Sequence, residues 1–252
     1  MLFLTPKFQK IKQKKGSYFL VILILLMSFG CENNNDQILL INDDIPVIDQ
    51  QKEFKILSLG DSYTIGESVC ATCRFPEQLK DSLSINFKKD TTFSLQVIAR
   101  TGWTTTNLIN AIEQENISDD FDLVTLLIGV NNQFQKRDFS IYEKEFPALI
   151  ATSIKAANDK KKNVIVVSIP DYAFTPFGRG SAPISTEIDK YNEFAKNYCD
   201  QNGITFVNIT DITREGLSNT GLVASDGLHP SKIAYTKFVE RILPLAIEKL
   251  KD

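Results

Sequence analysis

From Phe54 to Ile209 the chain repeats one theme. A short apolar run is halted, most often by a glycine or a proline, and an amphipathic stretch comes next. Phe54–Leu59 stops at Gly60. Phe93–Ala99 alternates Phe93, Leu95 and Val97 and stops at Gly102. Phe121–Ile128 stops at Gly129, and Val164–Ile169 at Pro170. Ile204–Ile209 is the fifth run. Between them lie stripes at helical spacing: Leu79, Leu83 and Phe87; Leu108, Ile109 and Ile112; Tyr142, Phe146, Leu149 and Ile150; Ile188, Tyr191 and Ala195. Pro76 suits a first helical turn, and Gly203 suits a position just past a C-terminus. Pro147 is expected to kink or divide its helix. A last helix is expected from about Ser231 to Leu250. Strands that alternate with helices in this way predict a parallel sheet with helices on both faces. In such sheets ligands bind beyond the carboxyl ends of the strands.

A site is therefore expected among the residues that succeed the strands. Gly60-Asp61-Ser62 comes after the first, Gly102 after the second and Gly129-Val130-Asn131 after the third. All are expected on one edge of the sheet. A serine there is either a turn residue or a nucleophile, and a nucleophile needs a base. The chain holds a single histidine, His229, three residues after Asp226 in "SDGLHPS". This spacing lets the two side chains face the same way in a helical turn. A carboxylate there holds the imidazole tautomer and stabilises the imidazolium, as in serine hydrolases generally. Gly102 lets its backbone approach a substrate closely because it has no Cβ. Asn131 offers an NH₂ donor. Asp211 is a competing acid, read as loop capping, and Asp61 is read as a turn residue bonding nearby amides.

The four blocks "GDSYTIGES", "ARTGWTTTNL", "LLIGVNNQF" and "DGLHPS" resemble those of the GDSL, or SGNH, hydrolase family. They span Gly60 to Ser231. The resemblance implies a three-layer α/β/α sandwich with a five-stranded parallel sheet, flavodoxin-like. It is distinct from the α/β-hydrolase fold, whose G-x-S-x-G elbow is missing around Ser62. It implies catalysis by Ser62 as nucleophile, His229 as base and Asp226 as its partner. It also implies an oxyanion hole from the N–H groups of Ser62 and Gly102 and the amide of Asn131. No cofactor and no metal are expected. The implied reaction is hydrolysis of an acyl ester: a lysophospholipid, a short-chain or acetyl ester, or an acetylated glycan. O-acyl transfer is the alternative within the family. Two departures bear on the substrate pocket. Tyr63 stands where the family has Leu, and Asn132 stands where the third block often has Asp.

Rival readings are a non-catalytic ligand-binding lipoprotein and a phosphate- or nucleotide-binding module. Neither G-x-G-x-x-G nor a Walker motif is present to favour the second. Trp103 is read as an acyl-pocket wall or as packing. The long segment Ile169–Pro183 offers Phe174, Phe177 and Arg179 as substrate contacts.

The N-terminus sets the compartment. Five lysines in residues 7–15 precede an apolar run from Tyr18 to Phe29, about twelve residues and short of the roughly 20 a membrane-spanning helix needs. Gly30-Cys31 closes it. Residues 1–30 resemble a bacterial lipoprotein signal, with Cys31 as the lipidated residue, although Ser28 stands where Leu is usual. An uncleaved N-terminal anchor is the other reading. Residues 31–52 are polar and acidic and read as a tether, leaving 53–252 as the folded domain. The expected location is the cell envelope, on the periplasmic or surface face. The full chain carries a net charge of −3; loss of residues 1–30 removes five lysines and no acid, leaving −8. So acidic a domain argues against nucleic acid as a partner. In an oxidising compartment Cys70 and Cys73 are expected to form a small disulfide contributing about 2 kcal/mol. A redox C-x-x-C and a Cys₃His zinc site are the other readings of that pair.

Overall fold

The structure, a computed structural model, describes residues 52–251. The expected signal segment, Cys31 and the tether as far as residue 51 lie outside the described residues. Lys52, assigned to the tether, already belongs to the first strand.

Five strands form one parallel sheet: β1 (Lys52–Gly60), β2 (Thr91–Ala99), β3 (Leu123–Leu127), β4 (Val164–Val167) and β5 (Thr205–Val207). Their order is β2-β1-β3-β4-β5, the flavodoxin-like arrangement. Eight α-helices connect and flank them: α1 (Ser62–Ile65), α2 (Phe75–Asn86), α3 (Thr105–Glu115), α4 (Val130–Phe134), α5 (Phe139–Ala156), α6 (Ala182–Asn202), α7 (Thr210–Thr213) and α8 (Lys232–Lys251). Helices α2 and α8 pack together, and α3 and α6 each pack on α5. The result is the expected α/β/α sandwich. Among the described residues no helix is long and apolar enough to cross a membrane.

Burial tracks strand position. β3 and β4 are buried at every residue, as central parallel strands should be. The edge strand β2 alternates half-buried and exposed residues, which is why its sequence alternates. Three strands are shorter than their apolar runs. Ile128, Ile169 and Ile209 are buried but lie past the ends of the ladder. An apolar run reports burial, and burial continues where the backbone has already left the sheet. Helix α5 runs unbroken through Pro147, so the expected division does not occur.

The register sets the active edge. Gly60 lies opposite Ala99 on one side and Leu127 on the other. The carboxyl ends of β2, β1 and β3 therefore stop level with one another. Gly60 itself leaves no room for a side chain: a Cβ there would overlap Thr64 Oγ1 and the Leu127 carbonyl oxygen. Gly60→Ala is expected to lower the melting temperature by several degrees, since overpacking a core typically costs about 1–3 kcal/mol. An unchanged melting curve would show that the turn relaxes freely.

Candidate active site

The sequence blocks meet at the carboxyl ends of the neighbouring strands β1 and β3, the point at which strand order reverses. Asp61 caps α1: its Oδ1 accepts from Tyr63 N–H at 3.0 Å. Ser62 is thereby the first residue of the helix, where a backbone N–H has no intrahelical acceptor. After β2, Gly102 turns the chain with φ +83°, and a Cβ there would meet no protein atom within 4 Å. That empty space is the cavity itself. After β3, Gly129 (φ +129°) opens α4, which brings Asn131 to the same edge. Asn131 Nδ2 lies 3.4 Å from Asp61 Oδ2.

Ser62, Gly102, Asn131 and His229 all line one cavity of about 170 Å³. His229 Nδ1 lies 2.6 Å from Asp226 Oδ2. With Nδ1 donating to that carboxylate, Nε2 keeps its lone pair. The Asp-x-x-His segment is a tight turn outside any helix, although helical spacing first suggested the pair. Asp226 Oδ1 accepts from the N–H groups of Leu228 (2.9 Å) and His229 (3.0 Å), and the His229 carbonyl accepts from Ala224 N–H at 2.7 Å. No hydrogen bond joins Ser62 to His229 in this conformation; catalytic hydrogen bonds often tighten only with substrate bound.

The two aspartates of the site are tuned in opposite directions. Partial burial of Asp226 works to raise its pKa, but hydrogen bonds from His229, Ser68 and the local backbone outweigh it and hold the carboxyl well below the usual range. Asp61 is fully buried, and none of its hydrogen-bond partners is a cation. Burial pushes its carboxyl up to about 7. A carboxyl with a raised folded-state pKa binds its proton more tightly in the folded protein than in the unfolded chain. Its contribution to stability is full below about pH 4, the unfolded value, and is lost as the pH rises to about 7. The unfolding free energy of the wild type minus that of Asp61→Asn is therefore expected to fall between about pH 4 and 7 and stay level above. Denaturant titrations at a series of pH values would check this, and a flat difference would exclude Asp61 as the titrating group.

Several residues of the site carried no sequence signal. Ser68 Oγ donates to Asp226 Oδ2 at 2.7 Å, the same oxygen that faces His229. Gln135 Nε2 donates to the Gly102 carbonyl at 2.8 Å, tying the loop after β2 to the end of α4. Phe134, Tyr172 and Leu228 wall the cavity beside Tyr63. The Tyr63 ring stands 5.2 Å from the His229 ring. Asn132, by contrast, does not line the cavity. It is fully buried and clamps α3, accepting from Thr105 N–H (2.9 Å) and donating to Thr105 Oγ1 (2.7 Å).

Other candidates lie elsewhere. Asp211 stands in the first turn of α7 and pairs through both oxygens with Arg241, at 2.5 and 2.8 Å. Trp103 packs against the core and does not line the cavity. Phe174 and Arg179 also stand outside it, and Phe177 lines a neighbouring groove. The Cys70 and Cys73 sulfurs are bonded, and the loop they close comes just after Ser68, which reaches Asp226. Cys199 is buried and free, with its thiol pushed up to about 12 by that burial. Among the described residues no group of three or more His, Cys, Asp or Glu is arranged to hold a metal ion.

Residues 58–237 match the model of the GDSL-like lipase/acylhydrolase family. No curated protein sequence matches the chain. Solved structures share its fold. A lipase/acylhydrolase from Enterococcus faecalis is 18% identical with a TM-score of 0.62, over 78% of this chain and 96% of its own. Axe2, an acetylxylan esterase from Geobacillus stearothermophilus, is 19% identical with a TM-score of 0.58, over 78% and 96%. The psychrotrophic esterase EstA from a Pseudoalteromonas species is 17% identical with a TM-score of 0.56, over 79% and 99%.

Proposed function

Since the chain belongs to the GDSL-like lipase/acylhydrolase family and is an ester hydrolase, we propose that Ser62, His229 and Asp226 are its catalytic triad and that its substrates are esters of short acyl groups. One observation carries this reading: Ser62, Gly102, Asn131 and His229 line one cavity, and the inner nitrogen of His229 is bonded to Asp226. Ser62 Oγ attacks the ester carbonyl while His229 Nε2 takes its proton. The oxyanion is held by the N–H groups of Ser62 and Gly102 and by Asn131 Nδ2. His229 then returns the proton to the departing alcohol. Water, activated by the same histidine, releases the acyl group from Ser62.

The size of the cavity supports a short acyl group. About 170 Å³ is close to the roughly 150 Å³ of an apolar cavity that takes up benzene, a group of six carbons. An acetyl group fits, whereas the chain of a lysophospholipid would lie largely outside. A carbohydrate O-acetyl ester is therefore the favoured substrate within this reading. An O-acyltransferase would use the same residues, with a sugar hydroxyl in place of water.

The test is covalent. A fluorophosphonate is expected to modify Ser62 in the folded domain, with the adduct located by mass spectrometry and lost in His229→Ala. Rates on p-nitrophenyl esters are expected to fall steeply between acetyl and octanoyl. A folded protein that takes no label would bring forward the reading of a non-catalytic binding protein.

We also propose that Cys31 is lipidated and tethers the domain to the envelope membrane, a reading supported by the segment that precedes it. Metabolic labelling with radioactive palmitate is expected to mark the full chain and to vanish in Cys31→Ala. A wild-type chain that takes no label yet stays with the membrane would favour an uncleaved N-terminal anchor.

A further inference from the structure

The catalytic cavity shares two of its walls, Phe134 and Tyr172, with a larger groove of about 760 Å³ running along α4 and α6. The groove is lined by three cations, Lys136, Arg137 and Lys190, and by one acid, Glu187. That acid accepts at Oε2 from Gln133 Nε2, at 2.5 Å, and keeps its charge, and Asp138 lies near enough to Lys190 to offset it. Lys190 Nζ sits 3.8 Å above the Phe139 ring. Among the described residues neither Lys136 nor Arg137 forms an ion pair. These two cations lie on a domain whose net charge without residues 1–30 is −8.

The groove also presents aromatic surface to solvent. Phe134 is 48% exposed and Phe177 52% exposed, and their ring centroids are 6.0 Å apart. Buried apolar side chains would be core. Phe134 stands at the junction of the two cavities, and both rings offer a face to whatever occupies the groove.

Resting on the esterase reading above, we propose that this groove binds the alcohol part of the ester, and that this part is an anionic sugar, one bearing a carboxylate or a phosphate. The acyl group fills the small cavity at Ser62. The sugar then leaves the cavity past Phe134, where its C–H face covers exposed aromatic surface and removes it from water. Its anionic group meets Lys136 and Arg137, and the planar guanidinium binds carboxylate or phosphate through two parallel hydrogen bonds. A neutral sugar ester gains the aromatic contact alone.

The experiment compares kcat/KM for an O-acetylated uronate oligosaccharide, an acetylated sugar phosphate, a neutral O-acetylated xylo-oligosaccharide and p-nitrophenyl acetate. At least one anionic sugar is expected to exceed the neutral one about tenfold at low salt, with the ratio shrinking at 1 M NaCl. The two anionic substrates identify which group is recognised. Lys136→Glu with Arg137→Glu is expected to lower kcat/KM for the preferred anionic sugar by at least tenfold, mainly through KM, with p-nitrophenyl acetate within twofold. Equal rates on charged and neutral sugars would overturn the proposal. So would an equal loss on every substrate in the double variant, or faster turnover of a lysophospholipid in micelles than of any sugar ester. Failure to hydrolyse p-nitrophenyl acetate at all would instead remove the esterase reading, and this proposal with it.

Discussion

Alanine at Ser62 is expected to lower kcat for ester hydrolysis by on the order of 10⁴–10⁶-fold, and alanine at His229 by a similar factor. Without Ser62 there is no oxygen to form the acyl-enzyme. Without His229 the hydroxyl keeps its proton, because no other imidazole exists in the chain to remove it. The two losses should not multiply in the double variant, since in the proposed mechanism the residues perform one proton transfer together. Both variants should fold. Ser62 sits at the start of a short helix whose cap is made by Asp61, and His229 is placed by backbone bonds its replacement retains. Single-turnover kinetics beside circular dichroism would separate chemistry from folding. Two modest losses that multiply would point to independent roles, and the triad assignment would fall.

Asn131→Ala is expected to reduce kcat by about 10²–10³-fold with little change in KM. In the proposed oxyanion hole the amide binds charge that develops only in the transition state, so its removal would leave ground-state binding intact. Its neighbour provides the control. Asn132→Ala removes a fully buried clamp on Thr105, leaving the Thr105 N–H without its acceptor. That change is expected to act on stability, by about 1–3 kcal/mol, before it acts on kcat. A loss of kcat at Asn132 with none at Asn131 would reverse the assignment of the two residues.

These adjacent asparagines show where sequence reasoning reaches and where it stops. Their position after a glycine-ended apolar run was enough to place both at the active edge. The family resemblance named Asn131 as the donor, but periodicity and turn chemistry alone did not tell which of the two faces the cavity. The α-helical turn of Val130–Phe134 decides it, sending Asn131 toward Asp61 and Asn132 toward Thr105. Asp226 and His229 were legible for the opposite reason. They stand three residues apart, so a single turn makes their contact, and long-range folding only has to deliver the turn to the right place.

The order of strands and helices, the glycines that end the first three strands and the Asp-x-x-His pair are all written in short stretches of sequence, because periodicity and turn chemistry act within a few residues. The flavodoxin-like strand order agrees with the family resemblance. Strand limits were not legible in the same way, since Ile128, Ile169 and Ile209 are as buried as their neighbours while lying off the ladder. Nor were Ser68 beneath Asp226, Gln135 on the Gly102 carbonyl, or the cationic aromatic groove beside the cavity. Ser68 and Asp226 are 158 residues apart in sequence. Such contacts exist because sheet order and register set the loops after β2, β1 and β3 side by side and the segment between α7 and α8 reaches the same edge, and no local pattern of apolar and polar residues encodes which loop will meet which.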